Sequence, residues 1–311
     1  MAAPLLKPAA LRAGSRIAVI APASSAKIER IDSGISVLRV MGYEVVEGRH
    51  LRGHAPQYFS GTVGERVEDF HAAFADPDVD AIICSRGGYG SNYLLEHLDV
   101  SLVREHPKPF FAYSDMTVLQ NWLLDRTGLV SFHGPMVAAD FYREDGVDQE
   151  SFDLAINGGT AELGEAEGLR TLRPGRTAGT LYGGCLSMIV SALGTQFAAE
   201  TEGKLLFLED VSAKPYQIDR MLRQLILAGK LEGVKGIIFG EMLDCVSPGS
   251  DPAMLETMIL RVLDWFEGPI AIGLRSGHVS RANVTLPFGI LAELSLDRLP
   301  FLRFIEPAVR N

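Results

Sequence analysis

Cysteine is scarce in this chain: Cys84, Cys185 and Cys245 are the only three in 311 residues. An odd number without paired spacing suggests neither a disulfide framework nor a zinc site, and a reducing cytoplasm is the expected setting. Long apolar runs are missing too, since no uninterrupted stretch reaches the ~20 residues that a membrane span needs. The stretch Met1–Pro8 places Pro4, Lys7 and Pro8 where a signal peptide would need an apolar core, and Arg12 and Arg16 follow, so export is not expected. There is no excess of positive charge. With a formal net charge of -10 and no basic patch, sequence-independent binding to nucleic acid through counterion release is excluded. Internal repeats and low-complexity tracts are absent. The remaining composition, 47% hydrophobic and 22% charged, is that of a globular protein whose length favours two domains and whose partner is a small molecule or a peptide.

The first half alternates apolar β-rich runs with helical periodicity. Arg16–Ile20 reads as a strand, about 26–41 as a helix and Tyr43–Val46 as a strand. A second round runs from an amphipathic helix at Gly64–Phe74 into the strand Val79–Cys84. Further rounds follow after Gly90 and around Ser114, ending at Leu129–Phe132. Fully apolar strands separated by helices predict a parallel sheet covered on both faces, with ligands bound beyond the carboxyl ends of its strands. The turn-rich stretch 142–175, with Asn157-Gly158-Gly159 and Arg173-Pro174-Gly175, is expected to link a domain at 1–141 to a second at 176–311. That second domain mixes strands (Lys204–Leu208, Val234–Phe239, Pro269–Ile272) with helices (Gln217–Leu227, Pro252–Phe266). Its tail, Val284–Leu302, reads as antiparallel hairpins closing a compact α/β unit.

Four places carry candidate chemistry. Tyr113-Ser114-Asp115 lies where the apolar strand Pro109–Ala112 gives way to a helix at Met116–Leu124. A serine on such a turn is pushed out of the backbone beside the N–H groups of a helix start, which suits a nucleophile and its oxyanion donors; it equally suits a helix cap. Arg86-Gly87-Gly88-Tyr89-Gly90 follows a strand directly. Its glycines let backbone N–H groups approach an oxyanion, or simply make a turn, and the motif has neither P-loop nor dinucleotide spacing. Glu209-Asp210 ends an apolar strand, where a fixed backbone can hold a carboxylate against an imidazole. His278, after Gly277, sits in a loop beyond a strand; of seven histidines, only it and His133 follow a strand and adjoin glycine. Serine hydrolysis needs a base within reach of Oγ and a carboxylate to fix that base, a set that Ser114, His278 and Glu209 would supply.

These motifs, with Ala18-Val19-Ile20-Ala21-Pro22-Ala23-Ser24, His133-Gly134-Pro135, Tyr182-Gly183-Gly184, Pro215-Tyr216-Gln217-Ile218-Asp219 and Leu286-Pro287-Phe288-Gly289, resemble the LD-carboxypeptidase family in order and spacing along nearly the whole chain. The family also includes the microcin-immunity peptidases. The resemblance implies a flavodoxin-like N-terminal domain plus a smaller mixed α/β C-terminal domain, with the site between them. It makes Ser114 the nucleophile, His278 the general base and Glu209 its carboxylate partner, with an oxyanion hole from the N–H groups of Gly88 and Asp115. It further implies release of terminal D-alanine from a murein tetrapeptide during cytoplasmic wall recycling, a homodimer, and no metal or other cofactor. Arg86, beside the glycine loop, is a candidate for binding the substrate carboxylate, a structural ion pair being the alternative, and Tyr89 is a second substrate-binding candidate. The chain departs from the family pattern at Ala112, where glycine is usual, and at Cys185, where asparagine is usual. The second change puts substrate identity in doubt more than reaction type. Two rivals stand: a microcin-immunity-type peptidase cleaving peptidyl-adenylate analogues, and a non-catalytic anion-binding module on the same fold.

Overall fold

Continuous apolar runs become strands, and their two faces define the interior. The computed structural model describes residues 4–249, 251 and 253–310; Met1–Ala3 of the N-terminal stretch, and Pro252 at the expected start of a helix, lie outside the described residues. The strands are β1 (Arg16–Ile20), β2 (Glu44–Glu47), β3 (Ala81–Cys84), β4 (Phe110–Ala112), β5 (Ser131–His133), β6 (Glu162–Leu163), β7 (Arg170–Arg173), β8 (Arg176–Cys185), β9 (Lys204–Glu209), β10 (Gly236–Gly240), β11 (Ile270–Leu274), β12 (Leu286–Phe288), β13 (Leu291–Ser295) and β14 (Phe301–Phe304). The first sheet has the order β12-β5-β4-β3-β1-β2. Strands β1 to β5 are parallel in it, the doubly wound order of flavodoxin-like sheets. Period two sorts their side chains. Ile17, Val19, Ile83 and Phe111 join the cluster that holds Ile31, Ile35 and Leu38 of the helix Ile28–Val40. Ala18, Ile20, Ile82, Cys84, Phe110 and Ala112 face the other way, onto Phe70 and Phe74 of the helix Val63–Ala75. That helix starts at a capping box, in which Thr62 and Glu65 bond each other's backbone N–H, satisfying two donors that its first turn would otherwise leave open.

The second sheet runs β6-β14-β13-β8-β9-β10-β11-β7. Its centre, β8 to β11, is parallel, and its flanks are antiparallel. The helices Pro215–Leu227 and Met254–Val262 cover one face through Ile218, Leu222, Leu225, Leu255, Met258 and Ile259. Its other face shares an apolar cluster with the first sheet: Leu205, Phe207, Leu286, Phe288, Phe111 and Phe132 are all members.

Two features differ from the sequence reading. The stretch 142–175 holds the helix Gln149–Asn157 and two strands of the second sheet, β6 and β7, because its apolar positions Phe152, Ile156, Leu163 and Leu169 are buried in the shared cluster. β13 and β14 do pair as an antiparallel hairpin, but β12 leaves that unit and pairs with β5 at the edge of the first sheet. No helix among the described residues is long and apolar enough to cross a membrane.

Candidate active site

The carboxyl ends of both parallel sheets meet, and the four motifs converge there. Beyond β4 the backbone is extended at Tyr113 (φ -160°) and then reverses at Ser114, whose φ of 67° lies in the left-handed region. An L-residue there costs on the order of 1 kcal/mol, a strain that presents the half-buried side chain at the tip of the turn. The chain continues as a 3-10 turn (Ser114–Met116), an α-helix (Thr117–Trp122) and a π-turn (Leu123–Thr127). No side-chain cap closes either of the first two, so Ser114 does not act as a helix cap.

Gly87 presses directly on the serine. A Cβ at Gly87 would stand 2.8 Å from Ser114 Cβ, 2.9 Å from its Oγ and 3.3 Å from the Asp115 nitrogen. Gly88 has φ 105°, and the next N–H, that of Tyr89, donates to Ser24 Oγ at 3.1 Å. The N–H groups of Gly88 and Asp115 have no backbone acceptor among the described residues. The two turns that carry them are stitched together. Asp115 accepts from the Ser91 N–H at 2.8 Å through its carboxylate, while Ser91 Oγ donates to the Asp115 carbonyl at 2.7 Å. Below them the buried Arg66 donates from Nη1 to the carbonyls of Pro22 and Gly90, each at 2.8 Å. Gly87→Ala therefore places a methyl group against the serine and its neighbouring amide. A misplacement of this size costs roughly 100-fold in rate in enzymes that depend on positioning, and the same loss is expected in any turnover that depends on Ser114, with thermal unfolding measured alongside.

The second sheet supplies the acid–base pair. Glu209, fully buried at the end of β9, accepts at Oε2 from His278 Nδ1 at 2.8 Å and from the His278 backbone N–H at 3.1 Å. Burial alone would raise the Glu209 carboxyl, but the His278 charge and hydrogen bonds outweigh it and hold the group below the ordinary glutamate value. Burial correspondingly works against the His278 imidazolium, and Glu209 prevails over it, raising the ring above the ordinary histidine value. The Nδ1–H bond to Glu209 leaves Nε2 as the basic nitrogen. The loop that carries His278 is itself fixed, by Gly277 N–H to Asn283 Oδ1 at 3.0 Å and Ser280 N–H to Glu241 Oε2 at 3.0 Å. The His278 ring stands edge-on to Tyr113 at 5.2 Å between centroids, which sets it beside the residue that precedes Ser114. Cys185 N–H donates to Thr117 Oγ1 at 2.9 Å, a direct tie between the end of β8 and the helix behind the serine.

Sequence reasoning misses Asp140. Its buried carboxylate accepts from the Met136 N–H at 2.8 Å and from Tyr113 OH at 3.3 Å, and burial raises it to about 6. The available signal is an acid inside the apolar run Met136–Phe141. Arg86 is exposed, donates to the Ser25 carbonyl at 3.4 Å and has no salt bridge among the described residues. Tyr89, Tyr93 and Tyr58, 38%, 49% and 47% exposed, cluster edge to face around Phe59 beside the glycine loop. Among the described residues no group of three or more His, Cys, Asp or Glu side chains could hold a metal ion.

The chain matches the family models of the LD-carboxypeptidase N-terminal domain over residues 17–134 and of the C-terminal domain over residues 178–294. It is 37% identical over 296 residues to a probable murein peptide carboxypeptidase of Bacillus subtilis, covering 93% of this chain and 91% of that one. It is 33% identical over 294 residues to the murein tetrapeptide carboxypeptidase of Pseudomonas aeruginosa, covering 91% and 94%. Among solved structures, an MccF-like protein from Bacillus anthracis superposes with a TM-score of 0.89 at 27% identity, covering 97% of this chain and 99% of that one.

Proposed function

The chain belongs to the LD-carboxypeptidase family, and from that membership we propose that it is a serine carboxypeptidase that releases terminal D-alanine from a murein tetrapeptide. The observation that carries this reading is the fully buried Glu209 bonded at 2.8 Å to a histidine whose ring abuts Tyr113, the neighbour of a serine with φ 67°. Ser114 Oγ attacks the scissile carbonyl while His278 Nε2 takes its proton. Glu209 fixes the tautomer and stabilises the imidazolium. The N–H groups of Gly88 and Asp115 hold the oxyanion, and in related chemistry loss of one such donor costs about 10²–10³ in rate. His278 then protonates the leaving amine, and water, deprotonated by the same ring, releases the acyl group. Residues 1–141 carry the nucleophile in this scheme and 176–311 the acid and base, joined by 142–175. Cytoplasmic location and a homodimer follow from the family resemblance alone.

Arg86 binds the free carboxylate of the leaving D-alanine in this reading. Its exposed guanidinium lies beside Gly88, with Nη2 3.5 Å from where a Cβ of that glycine would be. Since a charge-assisted hydrogen bond contributes about 1.5–3 kcal/mol, Arg86→Ala is expected to lower kcat/KM at least about tenfold, mainly through KM. An unchanged kcat/KM removes Arg86 from the site. The exposed tyrosine cluster around Tyr89 favours a second reading, in which an aromatic platform holds the base of a peptidyl-adenylate analogue, as microcin-immunity peptidases require. Incubation with murein tetrapeptide and, separately, with a peptidyl-sulfamoyl adenosine, each followed by mass spectrometry, separates the readings. Loss of one alanine from the tetrapeptide is the expected result, and an intact tetrapeptide overturns the assignment.

A further inference from the structure

We propose that His133 is the second donor to Glu209, its Nε2–H reaching through one water to the carboxylate oxygen that His278 leaves free, and that it is a positioning residue for the reaction proposed above, on which this role rests. Both bonds from His278 fall on Oε2 of Glu209. Oε1 is buried without a partner, and so is His133 Nε2. The two groups flank the same glycine. A Cβ at Gly277 would lie 2.7 Å from Glu209 Cδ and 2.8 Å from His133 Cε1, so the ring and the carboxylate are no farther apart than those two distances combined. The two orphaned atoms do not bond each other directly, and that separation is within reach of one bridging water.

The tautomer follows from the donor and acceptor inventory. A neutral imidazole has one N–H and one bare nitrogen, a carboxylate oxygen can only accept, and a hydroxyl can do either. His133 Nδ1 lies 2.9 Å from Ser276 Oγ. Ser276 Oγ also lies 3.4 Å from the His133 carbonyl, so its single proton has two acceptors, of which Nδ1 is the nearer; donated there, it leaves the ring proton on Nε2, and one water can then satisfy both orphaned atoms. The opposite tautomer would bring a bare nitrogen toward a bare carboxylate oxygen in an apolar interior. Fully buried on β5 and packed between the rings of Phe207 and Phe288 at 5.2 Å each, His133 cannot turn away to solvent. Burial lowers its titration to about 4, so the ring is neutral where the enzyme works.

The amide of glutamine mimics Nε2 of histidine, and that of asparagine mimics Nδ1, so the two substitutions distinguish which nitrogen matters. Because one hydrogen bond to a charged group is at stake, His133→Asn is expected to lower kcat for tetrapeptide cleavage roughly tenfold to a hundredfold with little change in KM, and His133→Gln to recover most of it. Rescue by asparagine and not by glutamine, or equal activity in both, overturns the proposal. Nitrogen-15 NMR of the full-length protein labelled at histidine reads the tautomer without substrate: a proton on Nε2 of His133 is expected, and one on Nδ1 refutes the role. That arm decides the matter even if the tetrapeptide is not the substrate, so failure of the two readings is distinguishable.

Discussion

Ser114→Ala is expected to abolish D-alanine release, with kcat reduced by at least about 10⁴-fold, while the protein melts as the wild type does. The first half of that expectation follows from removing the hydroxyl proposed to attack. The second follows from the backbone: alanine keeps the Cβ, so the left-handed strain at φ 67° is unchanged, and the side chain caps no helix. Ser114→Gly separates the two roles of the position. Glycine adopts this conformation without steric cost, so this variant is expected to be equally inactive yet more stable than Ser114→Ala, by up to about 1 kcal/mol. Turnover by Ser114→Ala at the wild-type rate would dispose of the nucleophile, and a glycine variant that melts below the alanine one would dispose of the strain.

Glu209→Gln carries the second large effect. An amide can turn its nitrogen toward His278 and oppose the Nδ1–H tautomer, and the corresponding change in a serine protease triad costs about 10⁴ in kcat. The pH profile should move with it. In the wild type Glu209 holds His278 above the ordinary histidine value, and a general base must be neutral, so kcat/KM should fall on the acid side through a limb that lies above the usual histidine range. Without the carboxylate charge, burial dominates and the limb should shift toward lower pH. Stability runs in the opposite sense. The raised His278 contributes fully below its unfolded value and loses that contribution as pH rises through its folded one; the lowered Glu209 contributes above its unfolded value and loses that contribution as pH falls through its folded one. The melting difference between wild type and Glu209→Gln should therefore be largest between the glutamate and histidine ranges, where catalysis is failing, and shrink on the alkaline side. A difference that keeps growing as pH rises through the histidine range would contradict the directions assigned to the pair.

Ser114, Gly88, Glu209 and His278 are legible in the sequence because each follows an apolar run, and the carboxyl end of a buried parallel strand is a predictable place. The doubly wound order of the first sheet is legible for the same reason, since its strands alternate with amphipathic helices. What stays hidden are the pairings between distant parts of the chain. Local pattern says that Arg66 lies on a helix, but not that its guanidinium reaches Pro22 and Gly90. It places Asp140 in an apolar run without naming Tyr113 as its partner. It makes a strand of Leu286–Phe288 but cannot choose the sheet, because three alternating residues fit either, and the choice is made by β5, whose edge was open. The stretch 142–175 misleads through its glycines and prolines, which mark the ends of short elements as readily as a linker.

The crossing of β12 to the first sheet has a consequence for how activity arises during synthesis. The first sheet is complete only when residues 286–288 add to β5, and residue Arg310 bridges back to Ala9. A ribosome that has released Ser114 has therefore produced the proposed nucleophile with neither its proposed base, its proposed acid nor a closed sheet edge behind it. A chain truncated before residue 278 should be inert toward murein tetrapeptide, and a growing chain is expected to gain activity only once residues 278 and 286–288 have been made.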